Sequence, residues 1–209
     1  MIEDLTFLAG VGELRPPYLV PSALVLAKQL ARLDMHCCQF IARAPLVIIG
    51  SSHPQRGHDV SPRGDAPGFV RILDPQHLAI PDRPGNNRLD TIENLLADPA
   101  IGLLFMIPGI DELLRVNGTA RLTRSPSLLE SMAVGGKLPK LAIVVTIMET
   151  FLHCSKAFKR ARLWSNDYRL ARSELPTLGR MLRDQTRLGS LTADDIDARI
   201  EADARDNLY

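Results

Sequence analysis

"GFVRILDPQHLAIPDRPGNNRLD", residues 68–90, sets two short apolar runs three residues apart. Residues 69–73 and 77–80 carry the large and β-branched side chains that suit a pleated strand, and Asp74-Pro-Gln76 between them has turn composition. A parallel crossover needs about a dozen residues, so these two runs pair antiparallel. Beyond Ile80 the chain turns polar. Arg83, Asn86, Asn87 and Arg88 surround Pro84-Gly85, directly before Asp90-Thr-Ile-Glu93, which has the spacing of a helix-opening capping box with Asp in place of Ser or Thr.

The same pattern extends outward from this stretch. Between residues 45 and 150 short runs rich in Val, Ile and Leu alternate with Gly, Pro, Asp and Asn, which predicts strands near 46–50, 58–62, 69–73, 77–80, 101–107, 113–123 and 141–149. Six or seven closely spaced antiparallel strands suggest a closed barrel. Before them, residues 1–20 read as an arm. Ser22 then caps a helix whose apolar positions Leu26, Leu30, Leu33, Cys37 and Ile41 keep helical spacing until Pro45 ends it. Helices are also expected at 90–97, at 125–133, at 154–164 and from the capped segment Thr192-Ala-Asp-Asp195 onward. The expected organisation is a single domain over 1–209, with an arm and helix in 1–44, the barrel in 45–152 and helices in 153–209.

Composition narrows the function. The chain has 209 residues, 45% hydrophobic and 23% charged, the balance of a globular protein with one substantial core. Twenty-five basic residues against twenty-four acidic give a net charge of +1, so no global field draws it to nucleic acid or to an anionic membrane. Any anion must be held by a local cluster. The apolar stretches at 101–107 and 141–148 are too short to span a bilayer, and the first residues lack a signal-peptide layout, so a cytoplasmic protein is expected. Three cysteines, two of them adjacent, cannot build a disulfide framework. His36, Cys37, Cys38, His153 and Cys154 lack metal-ligand spacing, and buried structural thiols are the expectation.

Two clusters carry candidate chemistry. The turn at 83–88 hands a strand over to a helix, whose first-turn N–H groups are unsatisfied and attract anions. Gly85 lets a ligand approach the backbone, Asn86 and Asn87 bring amide donors, and Arg83 and Arg88 bring charged forks, whereas Asp82 and Asp90 would repel a dianion. Spacing alone fits a phosphate seat and a solvated turn equally. In "HDVSPRGDAPG", residues 58–68, strand alternation places Asp59, Ser61 and Arg63 on one face and His58, Val60 and Pro62 on the other. The polar face meets either water or a polar ligand. Gly50-Ser-Ser-His53 is no nucleophile elbow, no phosphate-cradling glycine loop is present, and no side chain is nominated as catalytic.

In chain order, "DVSPRGD", "IPDRPGNNRLD", "GLLFMIPG" followed by "LLRVNGTARLT", and "FLHCSKAFKRARLW" resemble the FMN-binding split-barrel proteins related to pyridoxamine 5′-phosphate oxidase. The resemblance spans roughly residues 40–185. It implies an α+β, mainly β fold, a six-stranded antiparallel split barrel with flanking helices, and a homodimer with FMN in clefts between the subunits. It also implies that Asn86, Asn87 and Arg88 hold the FMN phosphate with Arg83 nearby. Asp59, Ser61 and Arg63 then line the ribityl chain or the ring's polar edge, and Arg63 stabilises the reduced ring. His153 and Lys156 lie near the partner subunit's flavin. Arg115 is expected in an ordinary ion pair, Trp164 in helix packing, and Lys159, Arg160 and Arg162 on a solvated face.

One departure matters. The Arg and His pattern that surrounds pyridoxamine phosphate in the oxidase is missing after Trp164, so oxidation of that substrate is not expected. The resemblance then implies an FMN-dependent oxidoreductase on a small molecule, with electrons from NAD(P)H or from the substrate. Its alternatives are a non-catalytic binder of flavin, haem or deazaflavin, and a retained fold with an empty cleft.

Overall fold

The computed structural model describes residues 1–186 and 189–209. Seven strands form the sheet: β1 (Leu46–His53), β2 (Gly57–Gly64), β3 (Arg71–Asp74), β4 (His77–Pro81), β5 (Ala100–Met106), β6 (Leu113–Thr123) and β7 (Ala142–His153). The helices are α1 (Val11–Leu14), α2 (Ala23–Ala27), α3 (Met35–Arg43), α4 (Asp90–Ala97), α5 (Pro126–Ser131), α6 (Lys156–Ala161), α7 (Leu178–Thr186) and α8 (Ala193–Asp206). All strand pairings are antiparallel, in the order β2-β1-β5-β6-β7-β4-β3.

The closed barrel of six or seven strands expected from strand spacing, and the six-stranded split barrel implied by the resemblance, are therefore corrected to a seven-stranded sheet that stays open between β2 and β3. The four-residue β3, with a register shift at Ile72/Asp74, pairs only with β4. The sheet nevertheless curls, because residues of β2 and residues just past β4 line one cleft although four strands separate them. Inside the curl, Val47 and Ile49 of β1, Leu103 and Phe105 of β5, Leu114 and Val116 of β6, and Ile143 and Val145 of β7 meet Leu78 and Ile80 of β4. Two helices plug it: α3 brings Cys37 and Ile41, and α4 brings Ile92 and Leu95.

Two local departures have physical causes. The helix expected from Ser22 through Ile41 is broken. Residues 28–34 are non-helical instead, and Leu30 bridges the sheet by exchanging backbone hydrogen bonds with Thr150 at 2.9 and 2.8 Å. Asp34 restarts the helix by accepting the Cys37 N–H at 2.8 Å. Strand β7 continues four residues beyond its expected end at Glu149 because Met148 is an extra residue in the ladder: Asn117 pairs with Glu149 and Gly118 with Ile147. This bulge shifts the burial phase from Ile147 to Thr150, which is why strict alternation ends in the sequence. Of the three thiols only Cys37 is buried, and Cys154 is exposed, contrary to the expectation for it.

Candidate functional site

Strand β2 is an edge strand, and its alternation points Asp59, Ser61 and Arg63 into the cleft, while His58, Val60 and Pro62 are exposed. Arg63 is pinned locally. Its Nη1 donates to the Ser61 hydroxyl and, at 2.9 Å, to the Pro62 carbonyl. Asp59 is anchored across the cleft, accepting the Thr91 hydroxyl of α4 at 2.7 Å. The β1–β2 turn grips the same helix through Arg56, whose guanidinium donates to Glu93 at 2.7 Å and to Asn94 at 3.0 Å. The N-terminus of α4 is thus fixed against β2.

The 83–88 loop forms the facing wall. Helix α4 does not open with the expected capping box: Leu89 is its N-cap and offers no side-chain acceptor, so the first-turn N–H groups have no side-chain acceptor from the N-cap. The Asp90 carboxylate bonds Arg88 Nε at 2.7 Å instead, which holds Asp90 below the usual carboxylate range. Asn86 Oδ1 accepts the Arg88 N–H at 3.0 Å, and among the described residues its amide N–H groups donate to no acceptor. Asn87 and Leu89 both take left-handed backbone, at φ 58° and 60°. Asn tolerates that region, whereas Leu is strained there, and such strain collects at ligand sites.

The resulting cleft has a volume of about 440 Å³, within the range of small-molecule sites. Arg63, Arg83, Arg88 and Lys140 line it against Asp59, Asp82 and Asp90, so its lining is net cationic before the helix terminus adds partial positive charge. Burial pushes the Asp82 carboxyl up, and the nearby Arg63 and Lys140 only partly oppose this. Arg83 is held from behind, with Nε 2.7 Å from Asp65 Oδ2 and the Asp65 side chain only 3% exposed.

Because the Asp82 proton is held more tightly in the folded state, its contribution to stability is full below the ordinary carboxylate value. That contribution is lost as pH rises through the raised one. Asp82→Asn should therefore raise the thermal midpoint at about pH 7 and leave it unchanged near pH 3. Thermal scans at both pH values check this.

Seven of the expected site residues, Asp59, Ser61, Arg63, Arg83, Asn86, Asn87 and Arg88, line this one cleft. His153 and Lys156 do not. They lie at the opposite end of β7, whose first residue, Ala142, pairs with Pro81 beside the cleft. The His153 ring stacks on Phe151 at 6.1 Å, and its buried Nδ1 has no hydrogen-bond partner among the described residues. Arg115 faces Glu149, with Nη2 to Oε1 at 3.8 Å, and Trp164 packs edge-on to Phe158 while its indole donates to the Ile110 carbonyl at 3.0 Å. Sequence reasoning missed Thr91, Lys140 and the supporting Asp65. Only Asp65, inside "SPRGD", carried a local signal.

The sequence profile described as pyridoxamine 5′-phosphate oxidase matches residues 33–154, more than half of the chain. The chain belongs to the pyridoxamine 5′-phosphate oxidase family. The matched region holds every residue of the cleft and ends just after β7, leaving α6 to α8 outside the family match. Similar solved structures include HupZ of Group A Streptococcus, at 14% identity and TM-score 0.46 over 57% of this chain and 93% of that one. A Lactobacillus delbrueckii protein described as a pyridoxamine 5′-phosphate oxidase is 19% identical, with TM-score 0.46 over 59% of this chain and 98% of that one. A Clostridium acetobutylicum protein related to general stress protein 26 is 12% identical, with TM-score 0.42 over 58% and 90%. A search of curated proteins returned no match. Among the described residues no helix is long and apolar enough to cross a membrane.

Proposed function

We propose that the cleft binds FMN and that the protein is an FMN-dependent oxidoreductase acting on a small molecule. The observation that carries this is the donor set. The side-chain-uncapped first turn of α4, the amides of Asn86 and Asn87, and Arg88 converge on one end of a cleft whose other wall is the polar face of β2. Such an end suits a phosphate, and such a wall suits a polyhydroxyl chain and the polar edge of a ring. Gly85 fits the same role: a Cβ there would meet nothing within 4 Å, so the space beside it is open to a ligand.

A bound flavin would supply the redox chemistry itself, exchanging hydride with the substrate or a nicotinamide, while the protein binds and orients it. Asn86, Asn87 and Arg88 would hold the phosphate, with Arg83 alongside. Arg63, fixed by Ser61 and the Pro62 carbonyl, would place a cation at the ring's polar edge, where it favours electron uptake. Asp82 is the cleft carboxyl best suited to hold a proton, because burial raises its pKa. In this reading the protein works as a homodimer, with His153 and Lys156 of one copy facing the other copy's flavin. Light scattering of the flavin-loaded protein tests that arrangement: a dimer is expected, and a monomer would remove it.

A second reading, non-catalytic storage or transport of a flavin or related cofactor, is favoured by one observation. No histidine, cysteine or tyrosine lines the cleft among the described residues. Anaerobic addition of NADH or NADPH separates the two readings. An oxidoreductase that draws electrons from a nicotinamide should bleach its bound flavin within seconds to minutes and regain colour in air, whereas a carrier should stay yellow both with NAD(P)H and with a panel of small-molecule reductants.

A further inference from the structure

The segment after α8 reaches the cleft from outside the region shared with the family. Helices α7 and α8 pack on each other, with the Gly179 N–H donating to Asp197 at 2.7 Å. Among the described residues, and apart from bonds to the adjoining Thr177, every hydrogen bond from residues 178–209 to the rest of the chain runs through Tyr209. Its hydroxyl donates to Asp65 Oδ1 at 2.8 Å, and its carbonyl accepts from Lys137 Nζ at 2.8 Å. Its ring lies under the Arg83 guanidinium, 5.6 Å from Cζ to centroid.

Asp65 is the hinge of this arrangement. Its carboxylate accepts from Tyr209 and the Ala66 N–H on one oxygen and from Arg83 Nε on the other. Burial works against its charge, but the bonds from Tyr209, Ala66 and Arg83 outweigh it and keep the acid below the usual carboxylate range. Arg83 spends only Nε on this contact. Among the described residues its Nη groups donate to no acceptor, and Arg83 lines the cleft. The ring on one side and the carboxylate on the other therefore fix the plane of a guanidinium whose remaining donors are free for an anion.

We infer that Tyr209 is a positioning residue for the anion seat: by clamping Asp65 and Arg83 it couples docking of the α7–α8 segment to the binding of a phosphate-bearing ligand. The inference rests on the proposed phosphate seat and adds a second element that sets its strength. Linkage is reciprocal, so a phosphate held by Arg83 stabilises the docked segment as much as docking stabilises the phosphate.

The test titrates wild type, Tyr209→Phe and Tyr209→Ala with FMN and with riboflavin, and follows hydrogen exchange at residues 82–92 and 193–209. Tyr209→Ala should lose about fivefold to tenfold in FMN affinity with riboflavin unchanged, and Tyr209→Phe, which keeps the ring, should fall between. FMN should slow exchange in 193–209 of the wild type, and riboflavin should not. Equal losses for the two ligands, or no loss, would overturn the coupling. Wild type that binds neither ligand would sink the flavin assignment instead. The clamp would then be judged on ligand-free exchange at 82–88, where faster exchange in Tyr209→Ala than in wild type upholds it and identical exchange overturns it.

Discussion

Arg88→Ala should weaken FMN binding roughly tenfold to a hundredfold while leaving riboflavin affinity nearly unchanged. The two ligands differ only in the phosphate, so the comparison isolates the contact of interest. Arg88 is well placed for it. Its Nε is bonded to Asp90 at 2.7 Å, which fixes the side chain, and its other donors stand at the mouth of the cleft beside the open first turn of α4. Its side chain is 73% exposed, so the contact is screened, and the loss should shrink as salt is raised. The thermal midpoint should barely move, because an exposed ion pair adds little to stability. Isothermal titration with both ligands at two salt concentrations gives the answer. Equal losses for FMN and riboflavin would mean that Arg88 does not touch the phosphate.

Gly118→Ala should destabilise the fold by about 3–5 kcal/mol, lowering the thermal midpoint by roughly 6–20 °C. Gly118 sits opposite the β7 bulge, and a Cβ there would lie 2.0 Å from the Thr146 carbonyl oxygen and 3.3 Å from Ile147 Cα. The obstacle is backbone within a sheet, so no side chain can swing aside. Restoring contact distances means pulling β6 from β7 beside the buried Thr150, whose hydroxyl donates to the Arg115 carbonyl at 3.1 Å. The counterpart is Gly85→Ala, which meets open space. It should leave the midpoint unchanged and still weaken FMN, because the glycine there serves the ligand and not the packing. Circular dichroism melts of both variants make the comparison, and a Gly118→Ala protein as stable as wild type would contradict the strand pairing.

The strands were legible wherever one face is buried and the period of two holds, as in β6, which runs from Leu113 to Thr123 as expected. Legibility failed where a tertiary contact overrode the local pattern. Leu26, Leu30, Leu33 and Cys37 keep helical spacing, yet Leu30 is drawn into a bridge with Thr150, over a hundred residues away, and the helix breaks there. Met148 adds one residue to β7, and no periodicity rule anticipates a bulge whose cause is its pairing with another strand.

The cleft follows the same division. Asp59, Ser61 and Arg63 were readable from alternation on one strand, and the 83–88 cluster from its density of donors before a helix. Closeness in sequence and a shared sheet predict that they meet, and they do, but four strands lie between β2 and β4 and the curl of the sheet joins them. Lys140 arrives from the segment before β7, and Tyr209 bonds Asp65 across 144 positions. Asp90-Thr-Ile-Glu93 had the right composition for a capping box, but Asp90 spends its carboxylate on Arg88 and the helix starts one residue earlier than a cap at Asp90 requires.

The most direct test of the central claim is the visible absorption spectrum of the freshly purified protein, with any pigment released by denaturation identified and FMN added if none is found. Flavin bands with FMN released, or stoichiometric uptake of added FMN, are the expected result. A colourless protein that takes up no FMN, or one that shows a haem band, would contradict it.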